Sequence, residues 1–379
     1  MDQNAILIIG AGPAGLAMAG RLRQLGIPFE IIERSQRIAN AWHEHYDRLH
    51  LHTVKELSHL PGLPFPADYP RYVPRKKLIA YYEQYAEHFD IRPHFGVEVT
   101  SIQRPGDSWQ LQARGGRTFE AEDVVIATGV NRKVNRPKFT GEENFQGKIL
   151  HSRDYKNAEP FLNQRVLVVG MGNTGAEIAL DLSEHGVETF LCVRSMVNIV
   201  PRDFLGNPTQ VTALRLSKLP TWLSDWIAIQ VRKYALGDLS KFGLKFPKVS
   251  PTEQLRRTGQ TPVMDIGTVA QIKQDKIKVV PGIKHFTERS IVFNNGEEHV
   301  LDAVILATGY RPKLEELIAG ADDLCDENGV PRYTIGEGKY EGLHFLGFDN
   351  YTPGGILGVI VRDSAIIAEH LASSVKTPH

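Results

Sequence analysis

Two glycine-rich turns, each placed between a short apolar segment and a helical pattern, constrain the fold of this chain more than any other feature. They are Gly10-Ala11-Gly12-Pro13-Ala14-Gly15 and Gly170-Met171-Gly172-Asn173-Thr174-Gly175. In such a turn the first glycine permits a tight bend and the second lets the backbone approach a pyrophosphate. The third lets the helix pack closely, and the helix N-terminus offers N–H donors. Two such turns predict two dinucleotide sites.

The surrounding strand, turn and helix pattern also occurs twice, at residues 6–25 and 166–185. Each copy is followed by an apolar segment that ends in Ala-Thr-Gly, at residues 123–129 and 302–309. Uninterrupted Val, Ile and Leu runs indicate strands buried on both faces of a parallel sheet, with helices as right-handed crossovers. We therefore predict an α/β fold with two Rossmann-like, doubly wound domains, the second inserted into the first.

The domain boundaries are predicted from composition. A polar segment rich in Gly and Pro, residues 141–163, precedes the second turn and is the expected linker, with the return linker near 281–301. The predicted boundaries are 1–160 and 301–379 for the first domain and 161–300 for the second, with a helical insertion at about 203–260.

The insertion carries no recognisable catalytic spacing. Its large apolar residues are expected in a buried core, with a substrate-access face and a dimer face as the alternatives. These residues are Leu216, Leu219, Trp222, Leu223 and Trp226.

The residue after the second strand of each repeat distinguishes the two sites. Glu33 follows Gly10 by 23 positions, and its carboxylate suits ribose hydroxyls but repels a 2′-phosphate, as in a site for NAD or FAD. Arg194 follows Gly170 by 24 positions and precedes Ser195, and a guanidinium binds phosphate in bidentate fashion. The second site is therefore predicted to prefer NADPH. A redox enzyme with two dinucleotides needs only one nicotinamide, so the first site is predicted to hold FAD.

A third glycine-rich turn, Pro353–Gly358, opens an apolar helix at residues 359–372. The positive end of that helix would stabilise the anionic pyrimidine edge of reduced flavin. A plain turn before a docking helix explains the same pattern.

Charge and cysteine content exclude several classes of function. Lys plus Arg and Asp plus Glu both number 44, so no net field attracts nucleic acid or an anionic membrane. Only Cys192 and Cys325 occur, which excludes a disulfide framework, a Cys-rich zinc site and a Cys-x-x-Cys redox pair. Residues 1–4 lead directly into an apolar segment without a signal-peptide pattern, and residues 211–231 are too polar to span a bilayer. A cytoplasmic protein without integral membrane association is expected, with a homodimer as a further expectation.

The segment before the second turn carries a family resemblance. Phe145-Gln-Gly147-Lys-Ile-Leu-His151-Ser-Arg-Asp-Tyr155 resembles the Phe-x-Gly-x-x-x-His-x-x-x-Tyr/Phe sequence of class B flavin-containing monooxygenases. The Baeyer–Villiger branch has Trp followed by Pro or Asp where this chain has Tyr155-Lys156. Further strings resemble the YUCCA-type, indole-3-pyruvate oxidising branch. They are residues 46–52, 60–66, 193–195, 261–267 and 306–310.

The resemblance implies a chemistry. NADPH would reduce FAD, O₂ would add to form a C4a-(hydro)peroxyflavin, and a small organic substrate would be oxygenated. Oxidative decarboxylation of indole-3-pyruvate is the first candidate. Broad S- or N-oxygenation and Baeyer–Villiger oxidation are the enzymatic alternatives, and an FAD/NADP redox-sensing binding protein is the alternative outside enzymes.

His52 is the predicted catalytic residue. The family's active-site Asn falls at this position, a departure that the YUCCA-type branch shares. An imidazole there would donate a hydrogen bond near the flavin or shuttle a proton. The nearby histidines 43, 45, 50 and 59 raise the alternative of a metal site, but no known ligand set is completed and no metal is predicted.

Trp42 is expected to pack on the flavin or to anchor an aromatic core. The complete predicted set of cofactor-binding residues is Gly10, Gly12, Pro13, Ala14, Gly15, Glu33, Arg34, Trp42, His52, Val99, Thr128, Gly129, Gly170, Gly172, Asn173, Thr174, Gly175, Arg194, Ser195, Thr308 and Gly309.

Overall fold

The computed structural model describes residues 6–375. Residues 1–4, where the start without a signal-peptide pattern was noted, lie outside that range. The chain divides into two compact units. Unit 1 contains the residues up to 44, residues 53–133 and the residues from 310 onward, and unit 2 contains residues 45–52 and 134–309. The second unit is inserted into the first, as the sequence predicts.

The described residues form nine α-helices and 22 strands. The helices are α1 (Pro13–Leu25), α2 (Asn40–Glu44), α3 (Arg75–His88), α4 (Asn173–Glu184), α5 (Thr209–Leu216), α6 (Thr221–Leu236), α7 (Pro251–Thr258), α8 (Thr268–Lys273) and α9 (Ile356–Val375). The strands are β1 (Ile6–Ile9), β2 (Glu30–Glu33), β3 (His94–Phe95), β4 (Val99–Gln103), β5 (Trp109–Ala113), β6 (Thr118–Ala121), β7 (Asp123–Ile126), β8 (Lys133–Val134), β9 (Lys148–His151), β10 (Arg165–Val169), β11 (Glu188–Cys192), β12 (Ile199–Pro201), β13 (Asp203–Phe204), β14 (Asn207–Pro208), β15 (Val263–Asp265), β16 (Ile277–Val280), β17 (Ile283–Phe286), β18 (Ser290–Phe293), β19 (Glu298–Val300), β20 (Ala303–Leu306), β21 (Tyr310–Arg311) and β22 (Leu343–Phe345).

Unit 1 is built on a parallel sheet with the strand order β22-β7-β1-β2-β3. All four residues of β1 are buried, which explains why this strand is a continuous apolar run. A separate antiparallel sheet, β4-β5-β6, lies between the third and fourth strands in chain order. Helix α9 packs on α1, where Arg21 Nε donates to Ser364 Oγ at 2.9 Å.

Unit 2 repeats this arrangement. Its parallel sheet has the order β16-β11-β10-β20-β9, and an antiparallel sheet, β17-β18-β19, lies between the fourth and fifth strands in chain order. When the strand order of the second sheet is reversed, it reads β9-β20-β10-β11-β16. In this order β1 corresponds to β10, β2 to β11 and β7 to β20. The predicted duplication of a parallel α/β unit is therefore confirmed down to strand order.

The observed boundaries between the units differ from the predicted ones. Strand β20 was expected in the first domain, but it pairs with β10 between residues 166–169 and 303–306. The expected linkers also carry strands of unit 2, since β9 pairs with β20 and the 281–301 segment contains β17 to β19. Their polar composition reflects an edge strand and a small antiparallel sheet, which keep polar side chains on their solvent-exposed faces.

The helical insertion contains α5 to α7, and its tryptophans are not core residues. Trp222 is 72% exposed and Trp226 is 57% exposed, so the expectation of a buried core is wrong for both. Helix α6 buries Ser224 and Arg232 instead. Arg232 Nη2 donates to Pro247 O at 3.2 Å, so hydrogen bonds to backbone carbonyls hold the polar side of this helix inward. Trp222 and Trp226 are consequently left at the surface, although Leu236 of the same helix is buried.

The two glycine-rich turns share one close backbone contact. A Cβ on Gly15 would lie 1.8 Å from the carbonyl oxygen of Gly10, and a Cβ on Gly175 would lie 1.9 Å from that of Gly170. No such crowding exists at the middle glycine, because a Cβ on Gly172 would have no neighbour within 4 Å. The third glycine is therefore required for folding, and the middle one leaves space over the helix N-terminus.

This difference predicts that two alanine substitutions in one turn lower the stability by different amounts. Gly175→Ala is expected to lower the free energy of unfolding by about 1–3 kcal/mol, because the new methyl group must push backbone atoms apart. Gly172→Ala is the matched control, with an expected loss below about 1 kcal/mol. Urea unfolding of the holoprotein measures both. Equal losses would contradict the packing account.

Candidate functional site

The first turn has the geometry of a pyrophosphate cradle. Helix α1 begins at Pro13, and the residue before it is Gly12. Because glycine has no side chain to cap the helix, the N–H groups of the first helical turn remain available. Proline at the first position removes an N–H that the helix does not need. A Cβ on Gly12 would meet nothing within 4 Å. Gly10 has φ 106° and Ala14 lies in the first helical turn, as the fingerprint predicts.

Glu33 is fixed by the turn that it faces. Its Oε2 accepts from Ala11 N at 2.8 Å, and its Oε1 accepts from Ser35 N at 2.8 Å. Each carboxylate oxygen retains a further lone pair, which a ribose hydroxyl can use. The following Arg34 is exposed. Glu33 is thus held beside the cradle by two backbone N–H donors.

Thr128 and Gly129 lie at the end of β7, next to the same turn. A Cβ on Gly10 would lie 2.7 Å from Ala127 O, which shows how closely this segment approaches. The buried hydroxyl of Thr128 has no hydrogen-bond partner among the described residues, and Gly129 has φ 75°. A buried, unbonded hydroxyl beside a phosphate cradle fits a bound dinucleotide.

Trp42 and Val99, the other predicted contacts in unit 1, have different surroundings. Trp42 is half-buried on α2, with its ring centroid 6.2 Å from that of Tyr82. Val99 is 8% exposed and belongs to the apolar core around the sheet β4-β5-β6. The side chain of Val99 is therefore committed to packing, while that of Trp42 is partly accessible.

The second turn repeats the cradle, with two differences. Helix α4 begins at Asn173 after Gly172, and Gly170 has φ 103°. The side chain of Asn173 positions a neighbouring strand, since its Oδ1 accepts from Met264 N at 2.7 Å. The side chain of Thr174 lies beside the phenol of Tyr46.

The ends of β2 and β11 are offset by one residue relative to the sequence-based comparison. Gly10 N donates to Ile32 O, and Gly170 N donates to Cys192 O, so Glu33 corresponds to Val193. Arg194 then corresponds to Arg34, and both Arg194 and Ser195 are exposed. The second cradle accordingly has no carboxylate at the ribose position and has an exposed guanidinium immediately after it.

Thr308 and Gly309 follow β20 as Thr128 and Gly129 follow β7, but their hydrogen bonds differ. Thr308 Oγ1 donates to Asn135 O at 2.5 Å, and Asn135 Nδ2 donates to Thr308 O at 3.0 Å. The Thr308 hydroxyl is thus used within unit 2. The two Ala-Thr-Gly segments share a backbone position without sharing a role for the threonine.

The segment that carries the family resemblance is built into unit 2. Phe145 is buried against Phe286, with ring centroids 5.4 Å apart. A Cβ on Gly147 would lie 2.6 Å from Asp302 O, so this glycine allows a close approach. His151 ends β9, and Tyr155 donates to Asp181 Oδ2 at 2.5 Å. The residues of the family pattern therefore anchor the segment that precedes the second cradle.

His52 lies in unit 2, against helix α4. Its Nε2 is 2.5 Å from Oε1 of Glu177, which is 2% exposed. The phenol of Tyr46 also lies beside Glu177, and burial raises the pKa of that phenol well above the usual value. The predicted catalytic histidine is thus bonded to a buried carboxylate one turn after the second cradle.

Sequence reasoning missed the buried acids of α4. Glu177 and Asp181 are both buried in the run Gly175–Leu182, which is otherwise apolar and small. Asp181 accepts from Tyr155 and from Arg48 Nη1, the latter at 3.4 Å. Two acids four residues apart within an apolar helical run are a detectable signal, because carboxylates are rarely buried unless they are bonded.

Within residues 6–375, no group of three or more His, Cys, Asp or Glu side chains is arranged to hold a metal ion. The same residues contain no helix long and apolar enough to span a bilayer.

The two cysteines belong to different units. Burial raises the pKa of Cys192 to about 11 and that of Cys325 also to about 11.

Comparisons with known proteins agree with this geometry. The sequence model of the flavin-binding monooxygenase-like family matches residues 3–322. Indole-3-pyruvate monooxygenase YUCCA1 of Oryza sativa subsp. japonica is 40% identical over 93% of this chain and 87% of its own length. The probable indole-3-pyruvate monooxygenase YUCCA3 of Arabidopsis thaliana is 38% identical over 98% of this chain and 87% of its own length.

Solved structures show the same fold. A flavin-containing monooxygenase from Stenotrophomonas maltophilia superposes with a TM-score of 0.76 at 24% identity, covering 99% of this chain and 100% of its own. The bacillithiol disulfide reductase Bdr (YpdA) from Staphylococcus aureus gives 0.70 at 18% identity, with 100% of both chains covered. The same fold therefore accompanies a second redox chemistry.

The fold and the paired cradles define a flavin-dependent oxidoreductase with two dinucleotide sites. The chain belongs to the flavin-binding monooxygenase-like family and is a flavin monooxygenase similar to the YUCCA enzymes. Class B flavin monooxygenases use FAD and NADPH, and family membership assigns the same cofactors to this chain.

The raised cysteine pKa values predict low thiol reactivity. At about pH 8 only ~0.1% of a thiol with a pKa near 11 is ionised, and the thiolate is the form that reacts. We therefore expect the native protein to resist iodoacetamide at both cysteines. The urea-unfolded protein is the control and should react at both positions. Rapid alkylation of Cys192 or Cys325 in the folded protein, detected by peptide mass spectrometry, would contradict the burial account.

Proposed function

We propose that this protein is an NADPH-consuming monooxygenase that holds FAD in the unit 1 cradle and NADPH in the unit 2 cradle. The observation that carries the proposal is the contrast between Glu33 and the Val193-Arg194 pair at corresponding strand ends. A carboxylate accepts ribose hydroxyls, whereas an apolar residue followed by a guanidinium tolerates and binds a 2′-phosphate. The unbonded hydroxyl of Thr128 supports placing the permanently bound cofactor in unit 1.

Indole-3-pyruvate is the proposed first substrate, because the named relatives with about 40% identity are indole-3-pyruvate monooxygenases. In the proposed reaction one oxygen atom of O₂ enters the organic acid product and the other leaves as water. The carboxyl group of the 2-oxo acid leaves as CO₂, and NADPH supplies the two electrons. When bound, reduced FAD supplies the activation of O₂ at its C4a position.

The residues of the chain supply binding, orientation and a proton-transfer group. The two cradles hold the pyrophosphates, and Glu33 and Arg194 select the dinucleotides. We propose His52 as the catalytic imidazole. Because Nε2 of His52 is bonded to Glu177, Nδ1 is the nitrogen left for a reacting group. In neutral imidazole with a proton on Nε2, Nδ1 is an acceptor and can take a proton.

A substrate panel tests the proposed activity. NADPH oxidation by the holoprotein is followed with indole-3-pyruvate, a thioether or a cyclic ketone, and the products are identified by mass spectrometry. We expect indole-3-pyruvate to give the one-carbon-shorter acid with a kcat/KM at least about tenfold above the other two. Catalase is included so that free hydrogen peroxide cannot decarboxylate the 2-oxo acid.

The panel also separates the alternatives. A preferred thioether would indicate a broad S- or N-oxygenase, and a preferred ketone a Baeyer–Villiger enzyme. A flavin that NADPH bleaches once in air, without turnover on any substrate, would indicate a redox-sensing binding protein and contradict the proposal. Cytoplasmic location and a homodimer stay predictions.

The assignment of Arg194 predicts a change in coenzyme preference. Arg194→Ala is expected to raise KM for NADPH by about tenfold or more and to change KM for NADH by less than about threefold, since only NADPH carries the 2′-phosphate. Arg257→Ala is the control, because Arg257 is an exposed arginine of the same unit that pairs with Glu253. Steady-state kinetics with both coenzymes measure the effect, and equal losses would overturn the assignment.

A further inference from the structure

Three side chains of unit 2 extend from His52 to the second cradle. Glu177 Oε1 is 2.5 Å from His52 Nε2. The phenol of Tyr46 lies beside both Glu177 and Thr174, the second residue of α4. The proposed reaction assigns a role to His52 alone, so the three other side chains are unexplained by it.

The direction of the bond between Glu177 and His52 follows from its two partners. Burial raises the pKa of Tyr46 well above its usual value, so the phenol beside Glu177 keeps its proton and is available as a donor. A carboxylate has no proton to give, so Glu177 accepts from His52, which places a proton on Nε2.

The proton on Nε2 decides what the other nitrogen can do. Nδ1 of His52 is buried and has no partner among the described residues. In neutral imidazole this nitrogen is an acceptor, and in imidazolium, paired with Glu177, it is a donor. A carboxylate that orients an imidazole in this way is a general device for controlling a histidine tautomer.

Glu177 is not needed to attach the segment that carries His52. Residues 45–52 are held independently, because Asp47 N donates to Lys156 O at 2.8 Å. Arg48 Nη1 also donates to Glu184 Oε2 at 2.8 Å and to Asp181 Oδ1 at 3.4 Å. The segment is therefore held without Glu177. The bond from Glu177 to His52 adds the orientation of the imidazole ring.

We propose that Glu177 is a positioning residue that fixes the Nε2-protonated tautomer of His52, with Tyr46 and Thr174 orienting its carboxylate from the second dinucleotide cradle. The kinetic consequence rests on the proposed role of His52. The tautomer itself is a property of the folded chain and can be measured without turnover.

Histidine ¹⁵N chemical shifts test the tautomer directly. In holoprotein labelled with ¹⁵N-histidine, the His52 signals are identified by their loss in His52→Asn. Spectra are recorded about two pH units above the usual histidine pKa, where imidazole is neutral. We expect a pyrrole-type Nε2 and a pyridine-type Nδ1. In Glu177→Leu no acceptor remains for the Nε2–H, so the share of the Nδ1-protonated form should rise. Identical His52 tautomers in both proteins would overturn the proposal.

Kinetics test the consequence. Glu177→Gln is expected to lower the rate of coupled product formation by about tenfold and to raise the share of NADPH oxidation that yields hydrogen peroxide. KM for NADPH should change by less than about threefold. Glu253→Gln is the control, because Glu253 is a surface acid of the same unit that pairs with Arg257, and it should stay within about twofold of the parent rate.

A double variant separates positioning from general damage. If Glu177 acts through His52, then Glu177→Gln should add no further loss to His52→Asn. If the rate losses of the two single variants multiply in the double variant, the proposal is overturned. If the parent protein oxygenates none of the three test substrates, the proposed function fails, and the ¹⁵N measurement still decides the role of Glu177. Thermal melting of each variant verifies folding.

Discussion

Both dinucleotide cradles depend on a backbone contact between the first and third glycines of the turn. The carbonyl oxygen of Gly10 lies where a Cβ on Gly15 would stand, and the same holds for Gly170 and Gly175. This contact brings the helix against its strand and directs the helix N-terminus over the strand end. The position of each cradle at the end of its strand follows from that arrangement.

On this shared frame the two units have diverged in a few side chains. Glu33 is replaced by Val193 at the strand end, and the unbonded hydroxyl of Thr128 has a bonded counterpart in Thr308. These changes keep corresponding strand ends while removing, in unit 2, the carboxylate that stands at this position in unit 1. A duplicated fold can therefore hold two different dinucleotides, which a flavin monooxygenase requires.

The sequence was sufficient to predict the duplicated parallel fold, because the glycine turns and apolar runs are local patterns. It was insufficient where strands pair across a long stretch of chain, or where a helix buries a charged residue and exposes an aromatic one. Strand β20 joined unit 2 through pairing with β10, and α6 buries Arg232 while exposing Trp222. Glu177 was missed because its partners lie far from it along the chain. Charge inside an apolar helix was the available signal.

The most direct test of the account is the fate of isotopically labelled oxygen. The holoprotein is supplied with NADPH, indole-3-pyruvate, ¹⁸O₂ and catalase, and the acid product is analysed by mass spectrometry. The account predicts one ¹⁸O atom in each acid molecule and one acid molecule for each NADPH oxidised. NADPH oxidation that yields no labelled acid, with hydrogen peroxide as the reduced product when catalase is omitted, would contradict it.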